Sequence, residues 1–335
     1  MTLYPATPAA RDRFVLDRRP SREVLDPWRS QGLLVENERS ADGTIAHVAT
    51  LFLTGRECRW RCVMCDLWRY TTEADTPPRA IPAQLADARR ALDDARQTVN
   101  QLKLYNASSF FDPLAVPESD YDAVAEQSTG LARLIVESHP SLIGTRTSRL
   151  LEALARHAPA PQLEVAMGLE TAHPTALERL NKRMTIDAFL EAAERLASLN
   201  VALRVFLLVY PPFVASDEQD DWLCRSVDLA FSAGATAVSL IPTRAGNGAL
   251  ETLADEGFFR EPRLLDLERS LTLALNRAPS SGRVFADLWN LDRFSDCSQC
   301  LDERRAHLHA ANLEQRVPEP VDCAHCRPSV RSHGS

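Results

Sequence analysis

The feature that most constrains this chain is Cys58-Arg59-Trp60-Arg61-Cys62-Val63-Met64-Cys65, three cysteines spaced by three residues and then two. Just ahead of it runs His47-Val48-Ala49-Thr50-Leu51-Phe52-Leu53-Thr54, apolar and rich in β-branched residues, which predicts a buried strand. The cysteines therefore leave the end of a strand, where α/β folds place their chemistry. Three thiolates can hold three corners of a [4Fe–4S] cube, because soft sulfur ligands suit iron–sulfur clusters. The fourth iron then has no protein ligand from this loop and is open to a small chelating molecule. A zinc site and scattered core cysteines are the alternatives. Zinc loops more often pair cysteines two apart, and core cysteines seldom gather on an arginine-rich loop. The pattern predicts an iron–sulfur centre.

The spacing resembles the signature of the radical S-adenosylmethionine (SAM) superfamily. That resemblance implies a cluster on Cys58, Cys62 and Cys65 whose open iron takes the amino and carboxylate groups of SAM. Met64 stands where the superfamily usually has an aromatic residue near the adenine, and a polarizable thioether can also lie against a ring. Trp60, Trp68 and Tyr70 are close by, able either to pack the loop or to touch a ligand.

A chain of 335 residues can hold one large α/β domain or two ordinary ones. Its apolar and charged fractions are those of a globular protein. No window reaches the ~18 uncharged apolar residues of a membrane span, and Met1–Arg13 has no apolar core of signal-peptide type. Eight cysteines without an export signal point to a cytoplasmic setting and to metal ligation rather than disulfides. The net charge of −8 argues against a broad nucleic-acid surface but leaves room for a local basic groove.

Residues 1–45 read as an N-terminal extension with a short helix, its arginines (Arg11, Arg13, Arg18, Arg19, Arg22) interleaved with Asp12, Asp17 and Glu23 as on a solvated face. From residue 46 strand-like and helical segments alternate. Strands are expected at Val48–Thr54, Leu102–Asn106, Leu134–Glu137, Leu163–Leu169, Ala202–Tyr210 and Ala237–Ile241. Helices are expected at Ile81–Arg96, Ser148–His157, Thr185–Leu199 and Gln219–Ala233. In the third of these, Thr185 is a candidate N-cap, and Ile186, Phe189, Leu190, Ala193, Leu196 and Ala197 share one face. Six strands alternating with helices make a parallel sheet with right-handed crossovers. A partial (β/α)6 barrel over residues 46–285 fits that count and is the fold the superfamily resemblance implies. Residues 286–335 form a cysteine-rich extension with a helical stretch around Arg304–Leu313, and the tail Arg327–Ser335 reads as disordered.

Functional residues of such a barrel gather on loops after the strands. The second expected strand runs into Asn106-Ala107-Ser108-Ser109, where the small residues Ser108 and Ser109 let backbone approach a ligand ammonium. Glu137 and Glu170 end the third and fourth strands. A carboxylate leaving an apolar strand needs a polar cavity or a partner, so each can face SAM, substrate or a rim salt bridge. Arg183 has the planar fork that binds both oxygens of a carboxylate. By resemblance to the branch containing coproporphyrinogen oxidase and the Elongator catalytic subunit, it is the choice for the methionine carboxylate. Gly246 and Gly248 permit backbone close to adenine or substrate. His139 and His173, each before a proline, can shuttle protons or simply shape turns.

Glu137-Ser-His-Pro, Gly168-Leu-Glu-Thr, Tyr210-Pro-Pro-Phe and Ile241-Pro-Thr-Arg occur in an order similar to one family. That family holds the radical-SAM component of archaeosine synthesis and its bacterial relatives. The resemblance implies carbon–nitrogen bond cleavage on a lysine-bearing deazaguanine base in tRNA. The expected activity is thus reductive cleavage of SAM to a 5′-deoxyadenosyl radical that abstracts hydrogen from the substrate, fed by a one-electron donor of flavodoxin or ferredoxin type. A small-metabolite substrate, and a non-catalytic iron–sulfur or zinc-binding assembly protein, are the alternatives. Ligand groups at several separate strand ends favour an enzyme.

Cys297-Ser-Gln-Cys300 and Cys323-Ala-His-Cys326 form a second set. Two pairs, each spaced by two residues, can each grip one ion through a tight turn. Zinc, or an auxiliary [4Fe–4S] cluster, is expected on these four thiolates, with 22 residues between Cys300 and Cys323 bringing the turns together.

Overall fold

Strand residues at alternate positions face opposite sides, and here both sides are filled. Leu163, Val165, Met167 and Leu169 of one strand and Leu203, Val205, Leu207 and Val209 of the next are buried in one continuous apolar core. Among the residues that alternate with them, Glu164, Gly168, Glu170 and Arg204 belong to polar networks on the other side. The computed structural model describes residues 4–326.

Among these residues eight strands form a single sheet in chain order. They are β1 (Gly32–Arg39), β2 (Ile45–Leu53), β3 (Gln101–Asn106), β4 (Arg133–Glu137), β5 (Gln162–Glu170), β6 (Ala202–Val209), β7 (Ala235–Pro242) and β8 (Arg283–Ala286). β1 runs antiparallel to β2, and every later neighbouring pair is parallel. The helices are α1 (Pro8–Leu16), α2 (Ala80–Asp94), α3 (Tyr121–Gln127), α4 (Thr145–Ala155), α5 (Pro174–Arg179), α6 (Ile186–Ser198), α7 (Gln219–Ser232), α8 (Ala249–Asp255), α9 (Leu264–Leu275) and α10 (Leu301–Glu314).

The six expected strands and four expected helices are all present, and the fold is the partial α/β barrel with a cysteine-rich C-terminal cluster. The sheet is two strands wider than the sequence pattern shows. β8 has only four residues, too few for a periodicity, and follows Pro279-Ser-Ser-Gly282. β1 loses its apolar alternation halfway along, where Glu36 and Glu38 turn toward Lys103 of β3. Thr185 does cap α6, its hydroxyl accepting from the Ala188 amide at 3.1 Å.

Between its edge strands the sheet is open, and α10 packs against both β1 and β8. Exposed strand edges carry unpaired backbone groups. Here Asn312 and Gln315 occupy them: the Asn312 side chain bonds both the N–H and the C=O of Ala286 (2.8 and 2.9 Å), and Gln315 does the same to Val284 (2.6 and 2.9 Å). The tail Arg327–Ser335 lies outside the described residues.

Candidate active site

The cysteine loop leaves β2 at the carboxyl end of the parallel strands and is held from several sides by polar contacts. The Val63 amide donates to the Leu180 carbonyl at 3.0 Å, and the Asn181 side chain donates to the Arg61 carbonyl at 2.8 Å. From the far side Asn247 donates to the Val63 carbonyl at 2.7 Å while its own oxygen caps α8 through the amides of Ala249 and Leu250. Glu57, just before the first cysteine, accepts from Arg19, Arg22 and Arg61, and Asp112 accepts two bonds from Arg59 (3.0 and 2.9 Å). Arg19 and Arg22 therefore clamp the loop, rather than lying on a free solvated face. α1 completes the clamp, with Phe14 and Val15 packed in one apolar cluster with Val63, Leu180 and Leu250 and with Met64 at its margin.

Burial pushes all three thiols up, Cys65 to about 12, and Cys62 well above its ordinary value. Nothing in the protein alone makes these sulfurs thiolates; a bound metal does so directly. Arg19 acts on Cys65, and the positive charge that acts on both Cys58 and Cys62 is Lys182, which is buried. Its ammonium donates to the Gly168 carbonyl at 2.5 Å and pairs with Glu170. Burial alone would lower this lysine, but Glu170 and the sulfurs of Cys62 and Cys58 outweigh it and hold the ammonium above its usual range.

Two backbone features make that pair possible. The β5 register shifts between Gly168 and Glu170, and Glu170 takes a left-handed φ of 67°. A Cβ on Gly168 would lie 2.1 Å from the Glu170 carboxylate and 2.3 Å from the Lys182 nitrogen. Only glycine leaves the space.

Glu137 ends β4 half-buried and without an ion pair, and burial pushes it up to about 8 against the pull of the Asn106 amide and Lys182. Asn106 ends the neighbouring strand β3 and Ser108 follows it, and the Asn106 side-chain amide and Ser108 hydroxyl are buried without a partner among the described residues. Ser109 is engaged otherwise: its hydroxyl shares a 2.9 Å bond with Ser138 and accepts the His139 amide. Arg183 is exposed, its Nη2 bonding Asp12 at 2.8 Å and its Nε the Asn181 oxygen at 3.0 Å, so the Nε–Nη2 side of its fork is already occupied.

The two histidines cap turns. His173 accepts the Ala176 amide at the start of α5. His139 accepts the Ser141 amide on Nδ1 and donates Nε2–H to the Lys182 carbonyl at 3.0 Å, which defines a neutral ring. Burial, reinforced by Lys182, pushes it down to about 3. Trp60 stacks on this ring, centroids 3.7 Å apart, so the tryptophan joins the cysteine loop to the Lys182 loop. Gly248, at φ 82°, approaches the Arg18 carbonyl, where a Cβ would sit at 1.9 Å. Its freedom serves contact with the N-terminal segment.

Sequence reasoning passed over Lys182, Gly168 and Asn247. Lys182 adjoins Arg183, and only burial separates the two. Asn247 stands inside the Gly-Asn-Gly turn, where the glycines draw the eye.

The family model for the radical SAM superfamily matches residues 52–220, half of the chain, from β2 through the start of α7. The chain belongs to the radical SAM superfamily. It is an enzyme of that class, whose members use a [4Fe–4S] cluster and SAM. It is 24% identical over 274 residues to archaeosine synthase subunit beta of Methanosarcina acetivorans, covering 79% of this chain and 75% of that one. An uncharacterized protein of Methanocaldococcus jannaschii is 20% identical over 259 residues, covering 72% and 68% of the two chains. Among solved structures, Elp3 of Methanocaldococcus infernus lacking residues 1–46 shares the fold at a TM-score of 0.53 and 12% identity, covering 81% of this chain and 64% of that chain.

The residues present fit both groups that this membership implies. Three half-buried thiols on a clamped loop suit three corners of a cluster. An ammonium, a carboxyl group free of ion pairs, and the unpartnered Asn106 and Ser108 groups offer a zwitterionic, hydrogen-bonding ligand polar contacts. No helix among the described residues is long and apolar enough to cross a membrane.

Proposed function

We propose that this radical SAM enzyme acts on a modified nucleoside in tRNA, cleaving a carbon–nitrogen bond as in archaeosine synthesis. The observation that carries the reading is the convergence of the clamped Cys58/Cys62/Cys65 loop with the buried Lys182–Glu170 pair at the carboxyl ends of the strands. The alignment with an archaeosine synthase subunit along most of both chains supports the substrate class. When bound, the cluster and SAM supply reductive cleavage to methionine and a 5′-deoxyadenosyl radical able to abstract hydrogen.

The protein's own part is positioning. Cys58, Cys62 and Cys65 hold the cluster, with electrons from a flavodoxin- or ferredoxin-type donor in a cytoplasmic setting. Lys182 holds the methionine carboxylate, with Arg183 at the rim. Ser108, Ser109, Glu170 and Glu137 line the remainder, Glu137 being the group free to change protonation near neutrality. Tyr105 and Phe206 meet edge-on at 5.9 Å, and Phe206 lies level with Gly168 in the strand pairing. They form an apolar floor that helps keep water from a reactive radical.

A small-metabolite substrate is the second reading. It is favoured by Arg11, Arg18, Arg19 and Arg22, all spent on contacts with Glu178, Thr252 and Glu57 rather than presented to a phosphate backbone. Anaerobic reconstitution followed by assay for 5′-deoxyadenosine with tRNA pools and with small-molecule fractions decides between them. Turnover stimulated by tRNA, and lost in Cys58→Ala, Cys62→Ala and Cys65→Ala, supports the first; stimulation by small-molecule fractions alone supports the second.

A further inference from the structure

The four C-terminal cysteines lie outside everything described for the radical site. Cys297 and Cys300 follow the short turn Leu291–Phe294 after β8, and Cys300 sits at the N-cap of α10. Cys323 and Cys326 return to them after α10 has ended. Their sulfurs all lie within 4.8 Å of one another, with Cys297–Cys323 at 3.9 Å and Cys300–Cys326 at 3.5 Å.

These distances discriminate between the two metal centres the sequence allows. With metal–sulfur bonds of about 2.3 Å, a tetrahedron of four thiolates has edges of about 3.8 Å. A four-iron cube binds each thiolate to a different iron, and so holds the sulfurs farther apart. The observed spacings are those of one ion.

The surroundings suit a tetrathiolate dianion. Arg304, buried in α10, donates Nε–H to the Cys300 sulfur at 3.1 Å and is itself fixed by Glu268 and the Val321 carbonyl. Although paired with Glu268, the guanidinium turns its Nε–H to the sulfur, a charge-assisted contact that favours the thiolate.

We infer that Cys297, Cys300, Cys323 and Cys326 bind a single tetrahedral zinc ion, which staples α10 across the open side of the barrel. The ion ties the segment that follows α10 to the turn that precedes it. The helix between, through Asn312 and Gln315, occupies the free edge of β8 and bridges to β1. Four thiolates without an open position leave such a zinc structural, not catalytic.

The test uses the full chain, purified anaerobically and analysed for zinc and iron. The expected result is one zinc per chain, with about four irons after reconstitution and none in a Cys58/Cys62/Cys65 triple-alanine variant. About eight irons in the reconstituted protein, about four in the triple variant, or no metal at these cysteines overturns the inference. Protein produced with cobalt in place of zinc should show the visible bands of tetrahedral sulfur-bound Co(II), absent from Cys300→Ser. The staple role has its own readout. Chelation of the zinc should raise amide exchange in residues 283–286 and 301–315 while leaving β3–β5 protected, and unchanged exchange there would sink it. None of these readouts depends on SAM cleavage, so failure of the radical reading would be seen separately.

Discussion

Lys182 and Arg183 are adjacent cations with opposite fates. Lys182 is buried against Glu170 and the cysteine sulfurs, whereas Arg183 reaches out to Asp12 with over a third of its side chain exposed. Losing a charged partner of a bound zwitterion costs about 2–3 kcal/mol, or roughly 30- to 150-fold in affinity. Lys182→Met should weaken SAM binding by that factor in equilibrium dialysis, and Arg183→Ala by only about 5-fold, because its fork is already committed. The reverse order would return the carboxylate to Arg183. Gly168→Ala should act like Lys182→Met, since its new methyl group would displace the ammonium. Glu137 makes a pH-dependent case. Its carboxyl is raised from an ordinary 4.5 to about 8, so between those values the folded protein binds more protons than the unfolded chain. Stability is therefore highest below the lower value and falls as pH rises toward the upper one. Glu137→Gln removes that loss: its melting temperature should match wild type at pH 4.5 and exceed it by on the order of 5 °C at pH 8.5. Equal melting at both pH values would mean that Glu137 is stabilised by a partner.

At the level of elements, the cysteine loop is regular in its spacing but not in its backbone, and tertiary contacts hold it. Asn247 is central: one side chain joins the loop carbonyl of Val63 to the first amides of α8. Asn247→Ala leaves these buried groups unpaired, at about 1–3 kcal/mol each in the worst case. The variant should release iron to a chelator several-fold faster after reconstitution and lose amide protection at residues 58–65, with the exchange of β3–β6 unchanged. Protection lost evenly along the chain would make the effect global instead. The same elements show what a sequence reveals. The buried strands and α6 were legible because their apolar periods are long and their caps local, as at Thr185. β8 was hidden by its length, and the inward turn of Glu38 made β1 look like a polar extension. The three cysteines were readable from spacing alone. Lys182, Gly168 and Asn247 were not, because each matters through a partner distant in sequence or a space that only the folded backbone defines.

The whole barrel is organised by a charge network that no single segment announces. Near the amino ends of the strands Arg204 of β6, buried at 2% exposure, bonds Glu164 of β5 at 2.7 Å and pairs with Glu38 of β1. Lys103 of β3 and Arg133 of β4 join the same carboxylates, and Arg283 of β8 reaches the Arg39 carbonyl. The interior end opposite the cysteines is thereby filled with paired charges contributed by strands on both sides of the barrel's opening. Desolvation raises Glu38 and Glu164, but the surrounding cations outweigh it and hold both below the ordinary carboxylate range. Carboxylates depressed in the fold contribute stability that is present above their unfolded value near 4.5 and is lost as pH falls. Removing one member of a buried network strands the others, at about 3–5 kcal/mol. Arg204→Met, which keeps most of the apolar stem, should therefore unfold at lower denaturant than wild type at pH 7. The gap should narrow steadily below about pH 4.5 as Glu38 and Glu164 take up protons in the variant. A gap constant from pH 7 to pH 3.5 would show instead that Arg204 stabilises the barrel through its guanidinium over the Phe285 ring, 5.2 Å from the centroid, and not through its pairs with Glu38 and Glu164.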